Sequence, residues 1–288
     1  MKTGLVVEGG GMRGIYGAGV LDAFLDAGLV FEYACGTSAG AANVLSFAAG
    51  QKGRNHRYYT EHMLDPQCMG MGNMLHGKGF FNFDYLYGEL STRIDPLDFN
   101  ALRESPYEAE FVAAEAYTCR ARYFTKDDVS ADDCSALKAS CCVPGYCKPV
   151  RVGSALYFDG GVVDSIPVAR AITKGCDLVV VVLARARGYV KPPQNHKLIY
   201  RYSLRKYPRI STAVDNRHEN YNRSITFIDA LETQGAALVV APSRDIPVGL
   251  TTSNLALLEE FYQVGLADGR AAAAQLLAEH AAIDALVA

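Results

Sequence analysis

The sequence predicts an α/β fold, with three layers in αβα order around a mainly parallel central sheet, and three observations carry that reading. Apolar runs of strand length alternate with helical periods. Two of the runs lead straight into glycine turns that open helices. The run LVVVVLA at Leu178–Ala184 is apolar on both faces, as a strand buried in the middle of a parallel sheet must be.

The elements follow in order. A strand in GLVVE leads through glycines to a helix over Ile15–Ala27, where Leu21 and Leu25 share a face and Gly28 supplies the stop. A short strand at Tyr33–Cys35 enters a second glycine turn and a helix of small residues over Ala39–Ala49. That βαβα order requires crossover helices and parallel pairing. Further strands are expected at 110–117, 121–125, 154–158, 178–184 and 236–241, and an alanine-rich helix closes the chain over Ser253–His280. With no internal repeat and no linker composition, residues 1–288 read as a single domain. Its motif-bearing core is 3–183, followed by a C-terminal strand and helices in 184–288.

Composition narrows the function classes. Half of the 288 residues are hydrophobic, enough to bury a full core, and the formal charge of -3 gives no general attraction to nucleic acid. MKTGLVVEGG lacks the length and cleavage site of a signal peptide, and no apolar run approaches the roughly 20 residues of a membrane span. A cytoplasmic protein with free thiols is the expectation. The eight cysteines form no C-x-x-C, and the Cys141–Cys142 pair has no histidine at zinc-ligand spacing, so no metal or other cofactor is expected.

Two stretches break the alternation. Residues 63–83 hold four of the six methionines among glycines and phenylalanines, with no period. They read equally as the wall of an acyl pocket, a mobile lid, or packing at a sheet edge. Residues 196–223 carry Lys197, Arg201, Arg205, Lys206, Arg209, Arg217 and Arg223 against Asp215 and Glu219, interleaved with tyrosines. One reading is peripheral contact with phosphate headgroups or an anionic membrane; the other is a solvated helix face.

The chemistry gathers at the glycine turns. Gly9, Gly11 and Gly14 fit G-x-G-x-x-G, but the second strand ends in Cys35 rather than the acidic residue that a dinucleotide ribose needs. GTSAG fits the nucleophile elbow: Gly36 and Gly40 flank Thr37, Ser38 and Ala39 on a sharp strand-to-helix turn. The Ser38 hydroxyl is then forced into the crevice above the sheet, at a helix N-terminus that favours developing negative charge. A serine N-cap in an ordinary turn is the structural alternative. Acyl transfer through Ser38 needs preorganised amides for the oxyanion, and Gly10 and Gly11, with Ala39 as a third, are the expected donors. Arg13 either pins the loop by bonding carbonyls or meets a substrate phosphate. None of the six histidines follows a strand on the crevice side, so the base is sought elsewhere. In LYFDGGVVDSIPV an apolar strand ends in Asp159, and Gly160 and Gly161 permit a close turn. Strand ends in a parallel sheet converge on one crevice, which would bring Asp159 to Ser38.

GGGMRG, GTSAG and DGG in this order, with VPGYCKPV shortly before the aspartate, resemble the patatin-like phospholipases across about Thr3–Leu183. The remainder, with ARGYVKPP and ALVVAP, resembles the bacterial branch of that family. The resemblance implies a patatin-like fold and a serine–aspartate dyad without histidine. Ser38 would be the nucleophile and Asp159 the base, with the loop of Gly9, Gly10, Gly11, Met12, Arg13 and Gly14 as oxyanion hole. Cys141, Cys142 and Cys147 stand where the family more often has serine or small apolar residues, which raises thiol sensitivity as a question. The leading expectation is a lipid acyl hydrolase acting on phospholipid or lysophospholipid esters. A hydrolase of small soluble esters or thioesters and a non-catalytic anion-binding module are the alternatives.

Overall fold

A computed structural model describes residues 1–195 and 197–287. Strands β1 (Thr3–Val7), β2 (Tyr33–Thr37), β3 (Glu108–Glu115), β4 (Ala121–Thr125), β5 (Val150–Val152), β6 (Ala155–Asp159), β7 (Leu178–Val182) and β8 (Ala237–Val240) form one sheet. Five of them, in the order β3-β2-β1-β7-β8, run parallel. Helices α1 (Gly14–Asp26), α2 (Ala39–Ala48), α3 (Arg54–Arg57), α4 (Met71–Leu75), α5 (Phe99–Glu104), α6 (Ser135–Cys141), α7 (Val168–Thr173), α8 (Lys197–Ser203), α9 (Pro208–Asp215), α10 (Arg217–Thr233) and α11 (Leu255–Val287) surround it.

The three layers follow from the strand pleat. Leu5, Val7, Val180 and Val182 point into one core with α1, α2 and α11, while Val6, Val179 and Val181 point into the other with α7 and α10. Every valine of β7 is buried, and each contributes roughly 1.5–3 kcal/mol of burial. A third apolar cluster joins Ala114 and Phe158 to Tyr200, Leu204 and Ile210, so α8 and α9 cover the far end of β3 and β6.

The sheet is mixed at one side, which alters how the site is assembled. β4 and β6 both run antiparallel to β3. β2 pairs residues 108–112 of β3, β4 pairs 110–114, and β6 pairs 113–115. Because a strand has two edges, β4 takes one and β2 and β6 share the other, meeting end to end. The expected convergence of parallel strand ends is therefore corrected. β2 arrives at this point from below and β6 from above, so Thr37 opposite Val112 and Asp159 opposite Ala113 are consecutive on one edge. β5, absent from the sequence reading, forms a hairpin with β6 through Gly153, whose φ of +58° fits the turn.

The irregular stretch contains the short helix α4 and a bridge between Met69 and Phe81. The basic stretch is helical over α8, α9 and the start of α10, and His196 lies outside the described residues. Among the described residues, no helix is long and apolar enough to cross a membrane.

Candidate active site

Ser38 ends β2 and opens α2 with φ +56° and ψ -121°, a conformation that an L-residue holds only under constraint from its surroundings. Close packing supplies that constraint. A Cβ on Gly36 would lie 2.3 Å from the Gly40 carbonyl oxygen, and one on Gly40 would lie 2.3 Å from the Val7 carbonyl oxygen. The Ser38 amide donates to Ser140 Oγ of α6 at 3.2 Å, and the Thr37 hydroxyl donates to the Asp164 carbonyl at 2.9 Å. The side chain of Ser38 makes no cap to its own helix, so its hydroxyl is not spent as an N-cap.

Asp159 sits at the head-on junction of β2 and β6 and is buried. Its Oδ1 accepts from the Gly161 amide at 2.7 Å, while Oδ2 has no hydrogen bond. Gly160 is held against β3, where a Cβ would come 2.3 Å from the Val112 carbonyl oxygen. Burial raises the Asp159 carboxyl above its ordinary value of 3.8. The neighbouring Ser38 hydroxyl, the Arg217 guanidinium and the Gly161 amide act in the opposite direction. The serine hydroxyl is thus near enough to influence the carboxylate without a formed hydrogen bond to Oδ2, an arrangement that substrate binding can tighten.

The glycine loop divides into bonded and unbonded amides. Gly9 donates to the Ser165 carbonyl, Met12 to that of Leu250, Arg13 to that of Gly10, and Gly14 to those of Gly11 and Met12. The N–H groups of these four loop residues therefore already have protein acceptors. Among the described residues the Gly10, Gly11 and Ala39 amides have no protein acceptor. Gly11 adopts φ +57° and lies against Leu250. The buried Arg13 guanidinium donates to the carbonyls of Ala184 and Val248 and stands 5.1 Å from the Phe261 ring, so it ties the loop to β7 and to the approach to α11. Burial lowers its pKa to about 10.

Two cavities meet at Ser38. A narrow apolar slot of about 40 Å³ is walled by Tyr58, Met63, Phe81, Phe83, Tyr87 and Leu250. The Met- and Phe-rich stretch therefore supplies wall residues, while its Met71, Met74 and Leu75 are exposed. On the other side a polar cavity of about 210 Å³ holds Asp159, Gly10 and Gly11 together with Arg13, Arg185, Lys191 and Arg217. Of the seven basic residues in 196–223, Arg217 is the one that lines this cavity. Arg201 pairs instead with Asp215 at 2.5 Å. Sequence reasoning missed Glu8, Arg185, Lys191, Tyr221 and Leu250 as cavity residues. The positions of Glu8 directly after β1 and of Arg185 shortly after β7 signal those two, since the ends of parallel strands border the crevice.

Among the described residues, four histidine side chains are engaged elsewhere. His56 meets Glu259 at 2.6 Å and His62 meets Asp95 at 3.2 Å, while His76 and His218 bond backbone carbonyls. His280 has no described side chain. The Cys141 and Cys142 thiols are buried, and their pKa values are raised by that burial, which disfavours the reactive thiolate.

A family model described as Patatin-like phospholipase matches residues 5–172, and a second, a Domain of unknown function (DUF6363), matches 207–279. The uncharacterized protein YjjU of Escherichia coli is 27% identical over 97% of this chain and 80% of its own length. An uncharacterized NTE family protein of Mycobacterium tuberculosis, MT2641, is 27% identical over 66% of this chain and 31% of its own length. Among solved structures, VipD from Legionella pneumophila aligns over 97% of this chain and 67% of its own, with a TM-score of 0.48 and 14% identity. With more than half of its length matched by that first model, the chain belongs to the patatin-like phospholipase family.

Proposed function

We propose that the protein is a lipid acyl hydrolase in which Ser38 is the nucleophile and Asp159 the general base. Membership of the family supports lipid hydrolysis at the level of class. The observation that carries the finer reading is the junction of β2 and β6, where a constrained serine faces a buried carboxylate with one oxygen unpaired.

In the cycle, Asp159 accepts the Ser38 proton as Oγ attacks the ester carbonyl. The Gly10, Gly11 and Ala39 amides receive the oxyanion, and the alcohol leaves with the proton held by Asp159. Water, deprotonated by Asp159, then attacks the acyl-serine, and Asp159 returns that proton to Ser38 Oγ as the carboxylic acid leaves. The apolar slot takes the start of the acyl chain and the polar cavity takes the alcohol side of the ester. The whole chain acts as one catalytic unit, because cavity residues Arg185, Lys191, Arg217 and Leu250 all lie beyond the segment matched by the phospholipase model. The narrowness of the slot favours, as a second reading, short soluble esters; a preference for micellar over monomeric substrate separates the two.

The test is hydrolysis of a short nitrophenyl ester and of mixed phospholipid micelles by the wild type, Ser38→Ala and Asp159→Asn, each checked for folding. Each substitution is expected to lower kcat/KM by about a thousandfold or more, with little change in KM. Folded variants that keep wild-type activity would overturn the assignment. A wild type that cleaves neither substrate would leave an anion-binding module as the better description.

A further inference from the structure

The polar cavity beside Ser38 has more positive charge than the chain neutralises. Arg13, Arg185, Lys191 and Arg217 line it, and among the described residues none of the four forms an ion pair. Arg13 is occupied by two carbonyls, as described above. The other three are held in ways that leave charge facing the cavity. Arg217 spends only its Nε, on the Gly161 carbonyl at 2.6 Å. The Arg185 guanidinium stands 4.7 Å from the centre of the Tyr189 ring, and the Lys191 ammonium 5.1 Å from that of Tyr221.

Two carboxylates line the cavity, and Asp245 acts on Arg13 from outside its lining. Glu8 is buried, its Oε2 accepts from the Ala184 amide at 2.7 Å, and its pKa is raised by burial. Asp159 is the proposed base. A second, independent observation points to the same place. Among the described residues the buried side-chain atoms without a hydrogen-bond partner are Asp159 Oδ2 and the Tyr221 hydroxyl, and both residues line this cavity. Native proteins rarely leave a buried donor idle, and here a hydroxyl that makes no formed hydrogen bond, with the Glu8 carboxyl as its acidic neighbour, stands among cations without ion pairs.

We propose that Arg185, Lys191, Arg217 and the Tyr221 hydroxyl form a subsite for a phosphate group carried on the alcohol side of the ester, and that this subsite selects net-anionic over zwitterionic and uncharged substrates. The substrate part rests on the proposed function above. Phosphate supplies the acceptors that guanidinium, ammonium and phenol donors need. A choline or ethanolamine cation beyond the phosphate would meet like charge from the same walls, which is the selective element. Lys191 strengthens the reading: burial, with Arg217, Arg185 and Arg13 as like charges and Glu8 as the opposing one, lowers its pKa to about 8. An arriving anion relieves that repulsion.

The test compares esters of one acyl chain: lysophosphatidate, lysophosphatidylcholine and monoacylglycerol. The wild type is expected to favour lysophosphatidate. Lys191→Met and Tyr221→Phe should each lower the ratio of kcat/KM for lysophosphatidate over monoacylglycerol by about tenfold, and Lys191→Arg should restore most of it. The Tyr221 hydroxyl acts on the buried Glu8 carboxyl, so the Tyr221→Phe protein is checked for folding before its ratio is read. In parallel, calorimetry on the folded Ser38→Ala protein measures binding of glycerol phosphate and of inorganic phosphate, a readout independent of turnover. Loss of glycerol phosphate binding in the Lys191 and Tyr221 variants supports the subsite even if no ester is cleaved, in which case the proposed function fails alone. Equal binding of inorganic phosphate, with no preference among the three esters, overturns the substrate assignment in favour of a free phosphate ligand. No binding of either probe and no preference overturns the subsite altogether.

Discussion

At the scale of single residues, the site stores unfavourable terms in two adjacent groups. Asp159 is buried with its pKa raised, chiefly by desolvation. A carboxyl whose folded-state pKa exceeds its unfolded value favours folding when protonated, and that contribution is lost as pH rises through the folded value. At neutral pH the ionised group therefore opposes folding. Asp159→Asn keeps the acceptor for Gly161 and removes the charge, so its Tm should exceed that of the wild type at pH 7, and the gap should close as pH falls below 4. A less stable variant at pH 7 would contradict this account. Ser38 holds the second unfavourable term, in its positive φ. Ser38→Gly is expected to be more stable than Ser38→Ala by about 1 kcal/mol in urea unfolding, because glycine relieves the backbone and alanine does not. Equal midpoints would mean that the conformation is not strained.

At the scale of elements, the sequence was most readable where period and punctuation agreed. β1, β2 and the helices that follow them were legible because an apolar run met glycine and then a 3.6-residue period. The direction of β6 was not, since alternation within a strand carries no information about which neighbour it pairs or which way it runs. β5 had a signal that went unused: VRV and ALYFD flank Gly153–Ser154, a two-residue hairpin loop. Ser38 and Asp159 could be singled out because turn chemistry marks them, whereas Lys191 and Tyr221 reach the cavity through tertiary packing. The crossing of α1 and α11 was also invisible. There Gly19 and Gly265 let two backbones touch, and a Cβ on Gly265 would lie 2.2 Å from the Tyr16 carbonyl oxygen. Gly265→Ala is expected to cost about 2–3 kcal/mol in denaturant unfolding, since backbone rather than a flexible side chain must yield. A cost below about 0.5 kcal/mol would show that the helices separate freely.

At the scale of the whole molecule, segments more than two hundred residues apart in sequence, from Glu8 to Leu250, meet in the cavities around Ser38. The glycine loop enters from the N-terminal strand, while Leu250 closes the apolar slot and bonds Met12 just before α11 begins. Arg217 lies within the segment matched by the second family model, and its Nε holds the turn after Asp159. The end-to-end meeting of β2 and β6 has a consequence for the order in which the protein is made. Ser38 leaves the ribosome before Asp159, and the strand that carries Asp159 cannot dock until β3 is laid down beside β2, while the cavity wall waits for α10 and for Leu250. A partly synthesised chain thus carries the serine without its surroundings, and the two cavities at Ser38 are complete only in the finished sheet.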